Sequence, residues 1–224
     1  LKEINKLNYD AVGLSFVQNY KIINLIKKKY PSKIIVSKIE NFEGLKNARD
    51  ICNVSDVIMI DRGDLAAEIG NENLFNAIIK ISKICNFFHK PLIMATENLD
   101  SMISNKMPTK SEIFTLAYYK KMNIDSIMLS DETATSKNWK NIMIWVKNFF
   151  SKEDNIEIPK NDEPLFWNMI KDEINIPVVI FTKKGLSIKN VENLSYFNNI
   201  TVFTESKKIK LLCEFKRNIN AILT

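Results

Sequence analysis

Apolar and polar positions along the first 150 residues predict strands and helices in alternation. Short apolar runs without a polar face predict five buried strands, at 10–17, 33–39, 56–60, 92–95 and 126–129. Between them apolar residues recur at helical spacing, which predicts helices at 20–30, 43–52, 73–88, 111–122 and 140–150. Strands that are apolar on both faces and alternate with helices are typical of a parallel sheet covered by helices.

Two architectures fit this pattern: an open doubly wound sheet and part of a (β/α)₈ barrel. Five units are too few to close a barrel, so the pattern alone favours the open sheet. A polar segment with two prolines then predicts a linker, and a second, smaller α/β unit follows it. Its predicted elements are helices at 165–174, 188–194 and 206–215 and strands at 178–181, 200–203 and 220–223.

Composition narrows the class of protein. Of 224 residues, 46% are hydrophobic and 26% charged, which permits a sizeable core and excludes a wholly disordered chain. The net charge is +6, but it comes from 29 Lys and only 3 Arg, scattered among acidic residues, so no nucleic-acid partner is expected. No apolar run is long enough to predict a membrane span. Cys52, Cys85 and Cys213 lack paired or metal-like spacing, which predicts reduced, buried thiols.

Polar residues at the strand ends are the candidates for chemistry, because ligands of parallel α/β folds bind at the carboxyl ends of the strands. Lys38 and Glu40 end the second strand and, two residues apart, lie on the same face. A cation and a carboxylate at the mouth of a sheet can hold a phosphate-bearing anion and a metal ion. The alternative is a simple surface ion pair.

The third strand runs into Asp61, Arg62, Gly63 and Asp64, which we expect to form a polar turn. Gly63 is expected to adopt backbone geometry that other residues resist, so that Asp64 points back into the mouth. Carboxylates such as Glu40 and Asp64 suit Mg²⁺, a hard ion that prefers oxygen ligands. The alternative is a turn with a helix N-cap.

Hydroxyl groups follow the last two strands. Thr96 and Ser130 could bind a carboxylate or relay a proton, although Ser130 and Thr133 could equally serve as helix N-caps. The sole histidine, His89, is expected at a helix C-terminus. Because the chain has no other histidine, neither a Ser-His-Asp triad nor a multi-histidine zinc site is expected. Neither a Walker phosphate loop nor a GxGxxG fingerprint is present.

Taken in order, the strand-end segments resemble the pyruvate kinase family. That resemblance implies that residues 1–152 form strands four to eight of a (β/α)₈ barrel, which replaces the open sheet as the expected fold. It also implies a linker at 153–164 and an incomplete C-terminal α/β domain at 165–224. The segments that carry it are SFVQ (15–18), SKIENFEGL (37–45), SDVIMIDRGDLAAEIG (55–70), KPLIMATENLDSMI (90–103), PTKSEI (108–113), SIMLSDETA (126–134) and FTKKGLS (181–187).

The resemblance also implies roles for matched residues. Lys38 corresponds to the lysine that stabilises the transferring phosphoryl group and the enolate, and Glu40 and Asp64 to the carboxylates that bind Mg²⁺ or Mn²⁺. The remaining matched residues would bind the substrate or form the turn after strand eight. The backbone of Arg62, Gly63 and Asp64 would hold the substrate carboxylate, Thr96 would lie near the proton path to the enolate carbon, and Ser130 and Glu132 would belong to the turn after strand eight.

The family reaction moves a phosphoryl group from phosphoenolpyruvate to ADP, giving pyruvate and ATP. The resemblance also implies K⁺ as a further cofactor, whose ligands are not in this chain. It further implies a homo-oligomer, which is usually a tetramer in the family. Cytoplasmic and plastid locations both remain open. The family's first three barrel strands and lid domain are also absent from these 224 residues, so we expect little or no activity from the chain alone.

Departures from the family pattern open a second hypothesis. Asp61 stands where the family usually has Ala, Glu97 where it has Gln and Asp131 where it has Gly, and these extra carboxylates should weaken binding of an anionic substrate. They favour a non-catalytic pseudoenzyme or interaction subunit that keeps the scaffold. A third hypothesis, another metal-dependent barrel enzyme acting on pyruvate or its enol, fits the last two strand segments worse.

Overall fold

The computed structural model describes residues 9–151, 178–182, 185, 200–216 and 219–224. These residues form a five-stranded and a three-stranded sheet, both parallel, and each has its strands in chain order. The strands are β1 Ala11–Leu14, β2 Ile34–Ile39, β3 Val57–Asp61, β4 Leu92–Ala95, β5 Ser126–Ile127, β6 Val178–Phe181, β7 Ile200–Thr204 and β8 Ile219–Leu223. The helices are α1 Tyr20–Lys29, α2 Phe42–Lys46, α3 Ala48–Val54, α4 Arg62–Ile69, α5 Asn71–Phe87, α6 Lys110–Lys121, α7 Asp131–Thr135, α8 Trp139–Ser151 and α9 Lys207–Glu214, with a 3₁₀ turn at Asp100–Ile103.

The order of the first sheet decides between the two predicted architectures. A doubly wound sheet reverses its strand order at a switch point, whereas β1 to β5 follow one another without reversal. Strands and helices alternate along this sheet as they do in part of a (β/α)₈ barrel. The partial-barrel prediction is confirmed, and the open sheet favoured by the pattern alone is wrong.

The main core lies between the sheet and its helices. Ile35 and Ile39 of β2 are fully buried there against Ile23 of α1 and Ile51 of α3. Because side chains alternate along a strand, Ile34 and Val36 of the same strand point to the opposite face. That face is apolar as well, which explains why the strands lack the alternation of a half-solvated sheet.

The second face of the sheet is covered by the C-terminal unit. Leu211, Leu212 and Phe215 at the end of α9 pack against the cluster of Ile34, Val36, Val57 and Ile93. Two lysines of this unit, Lys208 and Lys216, lie 3.6 Å from carboxylates that directly precede β3 and β5, those of Asp56 and Asp125. The unit therefore contacts the amino ends of the strands and leaves the carboxyl ends for the site.

The strands predicted at 10–17 and 126–129 are shorter in the structure, and the helices depart from the sequence prediction in three places. The helix predicted at 43–52 is two helices that meet at Asn47, the predicted polar turn after β3 is helix α4, and α7 was not predicted. Asn47 lies between α2 and α3, and its side-chain amide donates to the carbonyl oxygen of Gln18, 2.8 Å away. The helices predicted at 165–174 and 188–194 and the linker at 153–164 lie outside the described residues, so the proposed domain boundaries stay predictions.

All three cysteines are free and buried, as the sequence predicted. The Sγ atoms of Cys52 on α3 and Cys85 on α5 lie 3.8 Å apart. The hydrogen bond to Cys52, together with burial, raises the pKa of the Cys85 thiol well above its usual range, and burial raises that of Cys213 to about 11. Among the described helices, none combines the length and apolar character that a membrane span needs.

Gly44 in α2 provides a direct check on the packing of the β2–α2 turn. A Cβ atom at this position would lie 2.6 Å from the carbonyl oxygen of Val17, closer than any packed side chain tolerates. We expect Gly44→Ala to lower the free energy of unfolding by about 1–3 kcal/mol, because the backbone must shift to relieve the clash. Urea denaturation of the purified chain measures it.

The matched control is Gly13→Ala in β1, where a new Cβ meets no atom within 4 Å. This variant should leave the unfolding free energy unchanged or raise it by up to about 1 kcal/mol, since alanine reduces the entropy of the unfolded chain. Equal stability losses in the two variants would contradict the close approach of α2 to residue 17.

Candidate active site

Parallel pairing in register brings the predicted polar residues to one edge of the sheet. Lys38 of β2 pairs with Met59 of β3, and Asp61 at the end of β3 pairs with Ala95 at the end of β4. Thr96 therefore follows β4 beside the last residue of β3. The carboxyl ends of three successive strands form the candidate site, as is usual for parallel α/β folds.

Lys38 is the centre of this group. Its Nζ lies 2.5 Å from Glu40 Oε1 and 3.4 Å from Asp61 Oδ2, which confirms that Lys38 and Glu40 share a face. Partial burial lowers the pKa of Lys38, but hydrogen bonding and charge attraction, first from Glu40 and then from Asp61, outweigh it and raise the net pKa above its ordinary value. Lys38 therefore stays positively charged at neutral pH.

Glu40 is held on both of its oxygens. One oxygen pairs with Lys38, and the other accepts a hydrogen bond from the backbone N–H of Phe16, which follows β1. Phe16 has a positive φ of 50°, an uncommon conformation for a non-glycine residue. This turn aims its N–H at Glu40, so a buried carboxylate is fixed in place by a neighbouring strand and by an ammonium group.

Asp61 ends β3 and caps helix α4. Its Oδ1 accepts a long hydrogen bond, 3.5 Å, from the backbone N–H of Asp64, and the first helical residue is Arg62. Gly63 lies in the first turn of α4, and its φ is not positive, so the expectation of special backbone geometry is wrong. A Cβ at Gly63 would instead approach Asp61 Oδ1 and Thr96 Oγ1 at 3.8 Å, so this glycine keeps space open in the site.

Three carboxylates converge where a divalent cation could bind. Single oxygens of Glu40, Asp61 and Asp64 all lie within 4.8 Å of one another; Glu40 and Asp61 are buried and Asp64 is exposed. Oxygen donors of this kind suit Mg²⁺ or Mn²⁺. The structure brings the predicted pair Glu40 and Asp64 together and adds Asp61 to it.

Thr96 contributes a fixed hydroxyl group. Its Oγ1 accepts hydrogen bonds from the backbone N–H groups of Arg62 and Gly63, both at 3.1 Å. The same hydroxyl lies 3.2 Å from Asp61 Oδ1 and 2.7 Å from the carbonyl of Ala95, and it can donate its single hydrogen to one of them. Thr96 has a φ of 63°, which is unusual for a β-branched residue and marks backbone strain at the site.

The side chain of Arg62 stabilises the strained loop and does not enter the cluster. Its guanidinium donates to the carbonyls of Ala95, at 3.3 Å, and Thr96, and to Asn98 Oδ1 at 3.1 Å. Asn98 in turn donates to the carbonyls of Met94 and Met128, which links the ends of β4 and β5. Asn98 is not part of any catalytic motif that can be read from the sequence. In the structure its burial marks it as a residue that holds the loop.

Other candidates lie at the margin. Ser130 is the N-cap of α7, and its hydroxyl also lies 3.3 Å from Asp100 Oδ1. Glu132 lies in α7 and is exposed. Of the three carboxylates that depart from the family pattern, Glu97 and Asp131 are also exposed, and Asp61 is the one that the structure buries among the site residues. The histidine of the chain follows α5 and precedes β4, at the opposite end of the strands from the site.

Comparison with known proteins identifies the scaffold. A family described as "Pyruvate kinase, barrel domain" matches residues 3–141, more than half of the chain. The chain belongs to the pyruvate kinase family. A pyruvate kinase from Dictyostelium discoideum is 41% identical over 132 residues, which is 57% of this chain and 26% of that protein. The chloroplastic pyruvate kinase isozyme G of Ricinus communis is 27% identical over 232 residues, 95% of this chain and 55% of its own length.

Solved pyruvate kinases match the fold over nearly the whole chain. A crystal structure from Cryptosporidium parvum has a TM-score of 0.75 and 27% identity, over 97% of this chain and 51% of that one. One from Pyrobaculum aerophilum has a TM-score of 0.80 at 20% identity, over 96% of this chain and 50% of that one. The chain thus spans about a quarter to a half of the pyruvate kinases it matches.

The role of Arg62 in holding the loop can be tested without substrate. We expect Arg62→Lys to lower the free energy of unfolding by about 1–3 kcal/mol, because a compact ammonium lacks the planar fork of donors that reaches the carbonyls of Ala95 and Thr96 and the side chain of Asn98 together. Amide exchange at residues 96–99 should accelerate with it. Urea denaturation and hydrogen exchange measure the two effects.

The control is Arg49→Lys, an exposed arginine whose guanidinium lies 4.9 Å above the ring of Phe87. A surface change of this kind should alter the unfolding free energy by less than about 0.5 kcal/mol. If Arg62→Lys is equally harmless, the hydrogen bonds from Arg62 do not hold the loop.

Proposed function

We propose that the chain carries the phosphoryl-transfer site of a pyruvate kinase, which moves a phosphoryl group from phosphoenolpyruvate to ADP and produces pyruvate and ATP. The observation that supports it best is the Lys38 ammonium paired with the carboxylate of Glu40, with Asp64 in the same cluster. Phosphoryl transfer depends on positioning and charge neutralisation more than on covalent catalysis by the protein. A fixed cation beside a cluster of metal-type ligands supplies both.

Glu40 and Asp64 would hold the divalent cation, Mg²⁺ or Mn²⁺. Both offer carboxylate oxygens at the mouth of the sheet, and Glu40 is already fixed by the backbone of Phe16. When bound, the cation would neutralise charge on the phosphoryl oxygens. By resemblance to the family, K⁺ is a second cofactor, and its ligands lie outside these 224 residues.

The other residues bind and orient the substrate. Lys38 remains protonated at neutral pH and would neutralise negative charge on the phosphoryl group and the enolate. The backbone around Arg62, Gly63 and Asp64, at the start of α4, would hold the substrate carboxylate. The hydroxyl of Thr96, held by two backbone amides, would lie on the proton path to the enolate carbon.

Compartment, assembly and regulation follow from family membership as proposals. Relatives carry the words "cytosolic isozyme" and "chloroplastic" in their names, so cytoplasmic and plastid locations both stay open. A homo-oligomer is expected, and a nucleic-acid partner is not. The segment FTKKGLS (181–187) resembles the loop that binds an effector phosphate in the family, and in it Gly185 has a positive φ of 73° and donates its N–H to Thr182 Oγ1 at 2.9 Å.

A non-catalytic role is the second candidate, and Asp61 favours it. This carboxylate replaces the alanine usual in the family, and the structure places it inside the site, 3.4 Å from Lys38. An added negative charge beside an anionic substrate disfavours binding. The chain would then retain the scaffold for interaction with another protein.

An activity assay of the 224-residue chain distinguishes the two candidates only if the chain is active. We expect little or no pyruvate release when the purified chain is given phosphoenolpyruvate, ADP, Mg²⁺ and K⁺, because it spans only 26% and 55% of the length of two of its relatives. A coupled pyruvate assay measures this, with a full-length pyruvate kinase as positive control. Sustained turnover by the chain would contradict the expectation and exclude the non-catalytic candidate.

The metal centre can be tested independently of turnover. We expect Mg²⁺ to raise the melting temperature of the chain, because a ligand that binds only the folded state stabilises it, by about 1.4 kcal/mol at ten times its Kd. Asp64→Asn should abolish the shift. Differential scanning calorimetry with and without millimolar Mg²⁺ measures it.

Asp50→Asn is the matched control, since Asp50 is also an exposed aspartate in the first turn of a helix. This variant should retain the Mg²⁺-dependent shift in full. If the unmodified chain shows no shift, or if both variants lose it equally, Glu40 and Asp64 do not form a divalent-cation site.

A further inference from the structure

Asp61 occupies hydrogen-bond donors that a bound carboxylate would need. Its Oδ1 accepts from the backbone N–H of Asp64 and lies 3.2 Å from the hydroxyl of Thr96, and its Oδ2 lies 3.4 Å from the ammonium of Lys38. An amide at a helix N-terminus, a hydroxyl and an ammonium together form an anion-binding set. The anion that they surround is a side chain of the chain itself.

The side chain is well placed to remain there. Asp61 is buried, and it serves as the N-cap of α4, which gives its carboxylate a structural reason to stay at the start of the helix. The glycine at position 63 leaves room beside it: the nearest atoms to a Cβ at Gly63 would be Asp61 Oδ1 and Thr96 Oγ1, at 3.8 Å. This space at the start of α4 is thus bordered by Asp61 and by the donor hydroxyl.

We propose that Asp61 is an internal occupant of the substrate-carboxylate subsite, so that a carboxylate ligand must displace its side chain and binds more weakly than it would without it. The inference rests on the proposed function, in which the backbone around Arg62, Gly63 and Asp64 and the hydroxyl of Thr96 receive the substrate carboxylate. An incoming carboxylate must compete with Asp61 for the Asp64 amide and the Thr96 hydroxyl. It must also approach a buried charge of the same sign, which opposes binding strongly in a protein environment.

The test is carboxylate binding to the 224-residue chain and to two variants at position 61, with Mg²⁺ present. Pyruvate and acetate are titrated separately, and binding is followed at the backbone amide signal of Asp64 by heteronuclear NMR. Asp61→Ala removes both the charge and the competing oxygen. Asp61→Asn removes the charge but keeps an oxygen acceptor and a good helix N-cap, so it serves as the second variant if the alanine variant does not fold.

We expect Asp61→Ala to bind pyruvate at least about tenfold more tightly than the unmodified chain, so that the Asp64 amide signal shifts at correspondingly lower pyruvate concentration. The asparagine variant should gain less, because its side-chain oxygen still competes for that amide. If Asp61→Ala binds acetate at this amide but not pyruvate, the inference is supported and the proposed substrate is wrong.

Three outcomes overturn the inference. Equal pyruvate affinity of the unmodified chain and both variants would do so while leaving the proposed function intact. Failure of the folded variants to bind either carboxylate would show that these donors form no carboxylate subsite. Weaker Mg²⁺ binding by Asp61→Ala with no gain in carboxylate binding would assign Asp61 to the metal centre instead.

Discussion

Three carboxylates share a small volume at the ends of β2 and β3, and the ammonium group of Lys38 is what makes this possible. Two like charges about 4 Å apart repel by roughly 4 kcal/mol at an effective dielectric constant of 20, and burial adds a desolvation cost. Lys38 contacts Glu40 and Asp61 directly and so offsets the repulsion between the two buried members. The raised pKa of Lys38 reflects the same attraction.

The rest of the site depends on how backbone groups fix these charges. Phe16 donates to Glu40 from the end of β1, and Asp61 begins α4 by accepting from the Asp64 amide. Thr96, in a left-handed conformation, is held by two amides of α4 and by the carbonyl contacts of Arg62. The contacts of Phe16 with Glu40 and of Thr96 with the start of α4 join the ends of neighbouring strands, so the site exists only when the sheet is formed.

Parts of this arrangement could be predicted from the sequence. The two-residue period of a strand placed Lys38 and Glu40 on one face, and the preference of parallel folds for carboxyl-end sites directed attention to Asp64 and Thr96. The sequence predicts a helix start after β3 only as the alternative to a polar turn, because the segment RGDLAAEI has little apolar periodicity and the helix depends on a cap by Asp61. The direction of the Arg62 side chain is likewise decided by carbonyl groups of a loop 33 residues or more away in the chain.

Membership of the pyruvate kinase family accounts for the scaffold but not for every residue in it, since function resides in sites carried by folds. Of the acidic departures, Glu97 and Asp131 are exposed, whereas Asp61 is buried and contacts Lys38. The same substitution therefore bears on two questions: how the cluster of charges is balanced, and which ligands it accepts. Whether the site is active or non-catalytic therefore depends on where the Asp61 carboxylate lies relative to Lys38 and a bound ligand.

A crystal structure of the chain grown with Mg²⁺ and without a carboxylate ligand is the most direct test of this charge cluster. We predict a cation on Glu40 and Asp64, with the Asp61 carboxylate within hydrogen-bond distance of the Asp64 amide and beside the ammonium of Lys38. A cluster without a cation, or an Asp61 side chain turned away from both the Asp64 amide and Lys38, would contradict it.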